Sequence, residues 1–154
     1  MPTFSESRTY PVALDEAFAR VLAWPLPELF DRRYLAIPPI REVREAPDTW
    51  DAVGQSRRVV LTDGGTMLET LTRVDPPAAF GYTITELTGP LSPIASTVDG
   101  LWAFEAAGTG CRISWSWDVT PNGTLGDLAM PVFGRLWTGY ARQSLARLEE
   151  LLVP

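Results

Sequence analysis

Four side chains carry most of the chemistry this sequence can offer: Tyr34, Glu69, Arg73 and Tyr82. The chain contains no histidine. That removes the Ser-His-Asp triad, the Cys-His pair, imidazole metal sites and imidazole proton transfer. Any chemistry must rest on carboxylates, arginine, tyrosine, Ser/Thr or ordered water. Arg73 falls on an otherwise apolar strand face. A fixed guanidinium there can stabilise a developing enolate or bind a carboxylate; equally, it can be a strand-end arginine paired with a neighbouring acid at a cavity rim. Glu69 shares that face. With a hairpin turning at Gly64, Arg58 lies roughly opposite Glu69 as a cross-strand partner. In an apolar cavity the carboxyl would titrate high and serve as acid or base; paired with Arg58 or Arg73 it is structural. Tyr34 and Tyr82 can offer phenol groups to a ligand or pack in a core. Cys111 has no base beside it in sequence and reads as a small buried hydrophobe. Asp48 and Asp51 flank Trp50 without the further oxygen ligands a hard cation needs. No metal and no cofactor is expected, and Gly64-Gly65 reads as a hairpin turn, not a phosphate loop.

The elements that must position these residues follow from periodicity. Phe4 to Tyr10 reads as a strand ended by Pro11. Leu14, Ala17, Phe18, Val21 and Leu22 then recur on one helical face, with Asp15 and Glu16 in the first turn, where negative charge suits the helix dipole. Pro25 stops that helix. Pro27 restarts a short second one, closed by Pro38-Pro39. From Ile40 to Val119 short alternating runs separated by turn residues predict antiparallel strands near 40–46, 56–62, 66–74, 79–87, 98–107 and 111–119. Alternation puts Ile113, Trp115, Trp117 and Val119 on one face, as it does Trp102 with Phe104, Met67 and Leu71 with Glu69 and Arg73, and Phe80, Tyr82 and Ile84 with Glu86. The predicted inner surface is therefore aromatic and aliphatic with a few charges.

A long helix is predicted over 124–153, with Thr124 as N-cap and Asp127 three residues on. Leu125, Leu128, Ala129, Val132, Phe133, Leu136 and Tyr140 form its first apolar stripe; Ala141, Leu145, Leu148, Leu151 and Leu152 form a second, rotated one. Pro131, Gly126, Gly134 and Gly139 weaken the first half. That half, with Phe133, Trp137 and Tyr140, is expected to wall a cavity, with ligand entry involving 125–137 and the loops facing it. The second half is the anchor.

At 154 residues the chain is read as one domain, 1–154. Its formal net charge of −6 disfavours nucleic acid or an anionic membrane as partner. No run approaches the roughly 20 apolar residues of a membrane span, and Met1 to Glu6 lacks the pattern of a signal peptide. One cysteine excludes an internal disulfide and fits a reducing, cytoplasmic setting. A strand run followed by a helix implies an α+β architecture.

Pro11-Val12-Ala13-Leu14-Asp15-Glu16-Ala17-Phe18, Trp50-Asp51 before Gly54, Arg73-Val74-Asp75-Pro76-Pro77, the Thr88-Gly89-Pro90 loop and Cys111-Arg112-Ile113-Ser114-Trp115 together resemble the START-like, Bet v 1-like (SRPBCC) helix-grip superfamily, and within it the polyketide cyclase/dehydrase and lipid-transport group. The resemblance implies a curved seven-stranded antiparallel sheet around a long C-terminal helix, with two short helices after strand one. A weaker similarity, to bacterial aromatase/cyclases, rests on Trp24, Pro27-Glu28-Leu29-Phe30 and Tyr34. It implies that Arg73 polarises a polyketide carbonyl and that Tyr34 hydrogen-bonds or relays a proton. The pocket serine of that branch is replaced here by Leu71.

The leading expectation is a domain, monomeric or homodimeric, that holds a hydrophobic small molecule against Trp24, Met67, Leu71, Tyr82, Ile84, Trp102, Phe104, Trp115, Trp117, Phe133 and Trp137, since pockets combine apolar walls with a few convergent polar groups. The alternatives are a cyclase or dehydrase using Arg73 and Tyr34, and an interaction module with a filled core.

Overall fold

The computed structural model describes residues 2–154. The chain runs β1 (Thr3–Tyr10), α1 (Leu14–Ala23), α2 (Leu26–Leu29), β2 (Ile40–Arg44), β3 (Ser56–Leu61), β4 (Thr66–Asp75), β5 (Ala79–Thr85), β6 (Ala95–Ala107), β7 (Gly110–Pro121) and α3 (Gly123–Leu152). All seven strands form one antiparallel sheet in the order β1-β7-β6-β5-β4-β3-β2. The α+β architecture, the two short helices after the first strand and the long C-terminal helix are those expected from the sequence.

The sheet buries one face because its strands alternate. Ile113, Trp115, Trp117 and Val119 of β7, Trp102 and Phe104 of β6, and Phe80, Tyr82 and Ile84 of β5 all turn inward. Helix α1 contributes Ala17, Phe18 and Val21; the Phe18 ring meets Phe80 and Phe104 edge-on, with centroids 5.9 and 5.2 Å away. The Tyr10 hydroxyl donates to the Leu145 carbonyl at 2.7 Å, tying β1 to α3.

Helix α3 departs from expectation in two ways. Its N-cap is Asn122, not Thr124. The Asn122 amide donates to the Ser92 carbonyl at 2.7 Å and its backbone N–H to Ile94, so a tertiary contact with the 88–94 loop fixes the start in place of a local cap. Its inward face is also not the leucine stripe. Leu125, Leu128 and Val132 are exposed, whereas Gly126, Met130, Phe133, Gly134, Trp137 and Tyr140 are buried. The glycines face in because the backbone comes so close. A Cβ on Gly126 would collide with the Ile94 carbonyl, and one on Gly134 would fall 2.5 Å from the Phe4 ring. Pro131 lies inside the helix at an exposed position. Among the described residues no helix is long and apolar enough to cross a membrane.

Candidate functional site

Between the sheet and α3 lies a cavity of about 220 Å³. Alternate residues of the strands give it its floor: Val59 and Leu61 of β3, Met67 and Glu69 of β4, Tyr82 and Ile84 of β5, Trp102 of β6, Trp115 and Trp117 of β7. Helix α3 covers it with Phe133, Leu136, Trp137 and Tyr140, and α2 with its flank adds Leu26, Leu29 and Phe30. Ile37, Trp50, Leu91 and Ile94 reach in from the loops. The aromatic wall is continuous. Trp102 stacks on Trp115 at 5.0 Å, Trp115 meets Trp137 at 5.0 Å, and Phe30 lies between Trp115 and Tyr140 at 5.4 and 5.9 Å.

Two hydrogen-bonded polar groupings interrupt this wall, and among the described residues the Trp137 Nε1–H on it is buried without a partner. In the first, Arg57 Nε donates to Glu69 Oε1 at 2.5 Å with both side chains almost fully buried. The Arg57 guanidinium also lies 3.9 Å from the centre of the Trp50 ring, a cation–π contact. Burial pushes the Glu69 carboxyl above its ordinary range, and the adjacent Arg57 charge opposes that rise without cancelling it. The expected partner, Arg58, instead bonds Glu86 and Glu45 on the outer face. Register explains the difference. Val60 pairs with Thr66 and Arg57 with Glu69, so the turn is centred on Asp63. Its Oδ1 accepts from the Gly65 N–H at 2.8 Å, closing an odd-numbered loop. One residue of slip moves every side chain to the other face.

The second grouping is Tyr82. Its hydroxyl accepts hydrogen bonds from Trp115 Nε1 at 2.9 Å and Trp117 Nε1 at 2.8 Å. Tyr82, Gly100 and Trp117 occupy one rung across β5, β6 and β7. A side chain at Gly100 would occupy the space of the Tyr82 ring, so this glycine lets the ring lie across β6 and reach the indoles beyond. Burial raises the Tyr82 pKa well above the ordinary phenol value, and the nearby Glu69 charge adds to the rise. Tyr140 is raised likewise, by burial and then by its neighbour Tyr82. Both phenols are neutral at physiological pH.

Eight of the expected ligand-contacting residues border the cavity: Met67, Tyr82, Ile84, Trp102, Trp115, Trp117, Phe133 and Trp137, together with Glu69. Five expected site residues do not. Arg73 points out to solvent and pairs with Asp75 at 3.3 Å. A bulge between Leu71 and Arg73 leaves Thr72 without a register partner and reverses the alternation; Gly81, opposite Arg73, was the sequence signal for it. Tyr34 packs against Gly139 in a separate shallow surface depression with Phe4. Trp24 caps the end of α1 beneath the Arg20 guanidinium, 5.4 Å away. Leu71 and Phe104 are buried core. Sequence reading missed Arg57, Trp50 and Phe30, while Tyr140 lines the cavity as the first half of the long helix was expected to; an aromatic in the polar loop before β3 was the available sign of Trp50. Of the helix segment expected at the entrance, Phe133, Leu136 and Trp137 line the cavity, while Leu125 and Leu128 face away.

A family model described as polyketide cyclase/dehydrase and lipid transport matches residues 1–153. No curated protein matches the chain. Among solved structures, TTHA0849 from Thermus thermophilus is 19% identical with a TM-score of 0.69, covering 97% of this chain and 95% of its own. MLL2253 from Mesorhizobium loti is 16% identical with a TM-score of 0.68, covering 98% and 96%. Ara h 8.0201 is 20% identical with a TM-score of 0.63, covering 96% and 97%. At these identities the three establish the shared helix-grip, Bet v 1-like fold.

Proposed function

The chain belongs to the polyketide cyclase/dehydrase and lipid transport family, and from that premise we propose that it binds a hydrophobic small molecule in the cavity under α3. The observation that carries this reading is the aromatic-walled void itself, because a packed interior of this size has little other reason to leave about 220 Å³ unfilled. Size narrows the ligand. An engineered apolar cavity of about 150 Å³ holds benzene, so this one suits a body of about two fused rings better than a long acyl chain. Burial of the ligand's apolar surface supplies the driving force, and Tyr82, Glu69 and Arg57 orient a polar end. The cyclase reading built on Arg73 and Tyr34 finds no support, since neither side chain borders the cavity.

Equilibrium dialysis with labelled naphthalene tests the proposal. Saturable uptake of one molecule per chain is expected, and uptake that rises linearly with concentration without saturating would sink it. Native mass spectrometry of freshly purified protein is the complementary measurement, with an added small-molecule mass as the supporting result.

A further inference from the structure

We propose that Tyr82 is the donor that fixes the ligand, and that the cavity therefore selects a neutral aromatic carrying an acceptor oxygen, such as an aryl ketone. This rests on the reading of the cavity as a ligand site. A phenol hydroxyl has one proton to donate and two lone pairs to accept with. Both lone pairs of Tyr82 are taken, by Trp115 Nε1 and Trp117 Nε1. The hydroxyl can meet anything further only as a donor, and no acceptor for it is found among the described residues. A buried donor with no partner costs free energy, and an incoming oxygen in the cavity would remove that cost. The two indole donors also polarise the O–H they point at, making it a stronger donor than an isolated phenol.

The charges around it set the ligand's own charge. Glu69 pairs in register with Ile84, two residues from Tyr82 on the same inward face of β5. Its counter-charge, Arg57, is already engaged by Glu69 and by the Trp50 ring. A ligand carboxylate would enter an apolar chamber beside an existing carboxylate with no cation left to meet it. A ligand hydroxyl cannot donate to Tyr82, whose lone pairs are full. A neutral carbonyl satisfies the site without either conflict.

The test compares three probes of nearly equal shape: 2-acetylnaphthalene, 2-isopropenylnaphthalene and 2-naphthoate. The ketone should bind about tenfold more tightly than the hydrocarbon, the worth of one buried donor satisfied, and more tightly than the carboxylate. In Tyr82→Phe the ketone's advantage over the hydrocarbon should vanish, the comparison being made between the two probes on the same variant. The infrared carbonyl band of ¹³C-labelled 2-acetylnaphthalene bound to the unaltered protein should shift to lower frequency than in hexane, a readout that does not depend on the variant folding. Equal binding of ketone and hydrocarbon, an unshifted carbonyl, or tighter binding of the naphthoate overturns the inference while leaving the cavity a ligand site. Failure of all three probes to bind overturns the inference together with the function proposed above.

Discussion

At the scale of single residues, the Arg57–Glu69 pair has the most at stake energetically. Two charges taken from water cost several kcal/mol each, and their attraction repays that cost only while both are present. Arg57→Met is therefore expected to lower stability by about 3–5 kcal/mol near neutral pH, while the Arg57→Met/Glu69→Leu double variant recovers most of the loss. The pH dependence has a definite sign. With Arg57 gone, burial alone acts on Glu69, so the folded state holds its proton at pH values where the unfolded chain has released it. Stability then falls as pH rises through that window and returns on acidification. Urea denaturation at about pH 5 and about pH 8 reads this directly; a pH-independent deficit would count against it. The identity of this pair was only half legible in the sequence. Glu69 on an inward face followed from alternation, but choosing Arg57 over Arg58 needed the length of the turn at Asp63, and alternation carries no information about an odd or even loop. Arg73 was lost the same way, since one extra residue at Thr72 inverts the strand beyond it.

The long helix shows how element-scale reading fails when close approach outranks hydrophobicity. The leucines of its first half outline a plausible apolar stripe, yet the face turned to the sheet carries glycines where backbone and ring atoms press against it. Gly126→Ala isolates this effect. Alanine raises intrinsic helicity by about 1 kcal/mol, but the added carbon meets the Ile94 carbonyl, a backbone atom tied to the helix start, and overpacking of that kind costs about 1–3 kcal/mol. A net loss of up to about 2 kcal/mol is expected, measured as a lowered denaturation midpoint. Leu128→Ser, on the exposed side, should stay within about 0.5 kcal/mol of the unaltered protein. The opposite ranking would return the leucine stripe to the inside. The second half of the helix is legible at Ala141, Leu145, Leu148 and Leu152, because there the contacts are made by large side chains and periodicity reports them.

For the whole molecule, element order and strand alternation were enough to give the α+β class, since half-buried strands and one long helix have few ways to cover each other's apolar faces, while the helix-grip arrangement came from the family resemblance. They could not distinguish aromatics that fill a core from aromatics that line a void. Phe104 and Trp102 alternate on one strand, yet Phe104 is packed by Phe18 and Phe80 while Trp102 borders the cavity. That choice depends on what lies opposite, which is a tertiary fact. The void itself carries a thermodynamic signature. A ligand that binds only the folded state stabilises it by about 2.7 kcal/mol at a hundred times its Kd, and for a chain of this length each kcal/mol moves the midpoint by about 2–4 °C. With 2-acetylnaphthalene at that saturation, Tm should rise by about 5–10 °C. Val59→Phe places a ring in the same space. It should raise the midpoint of the unliganded protein, because the lining regains contacts it lacks, and it should abolish the ligand-linked rise. A filled variant that still gains the full shift would place the ligand outside this chamber, whereas loss of the shift together with a higher starting midpoint would mean that the void is kept open at the expense of stability.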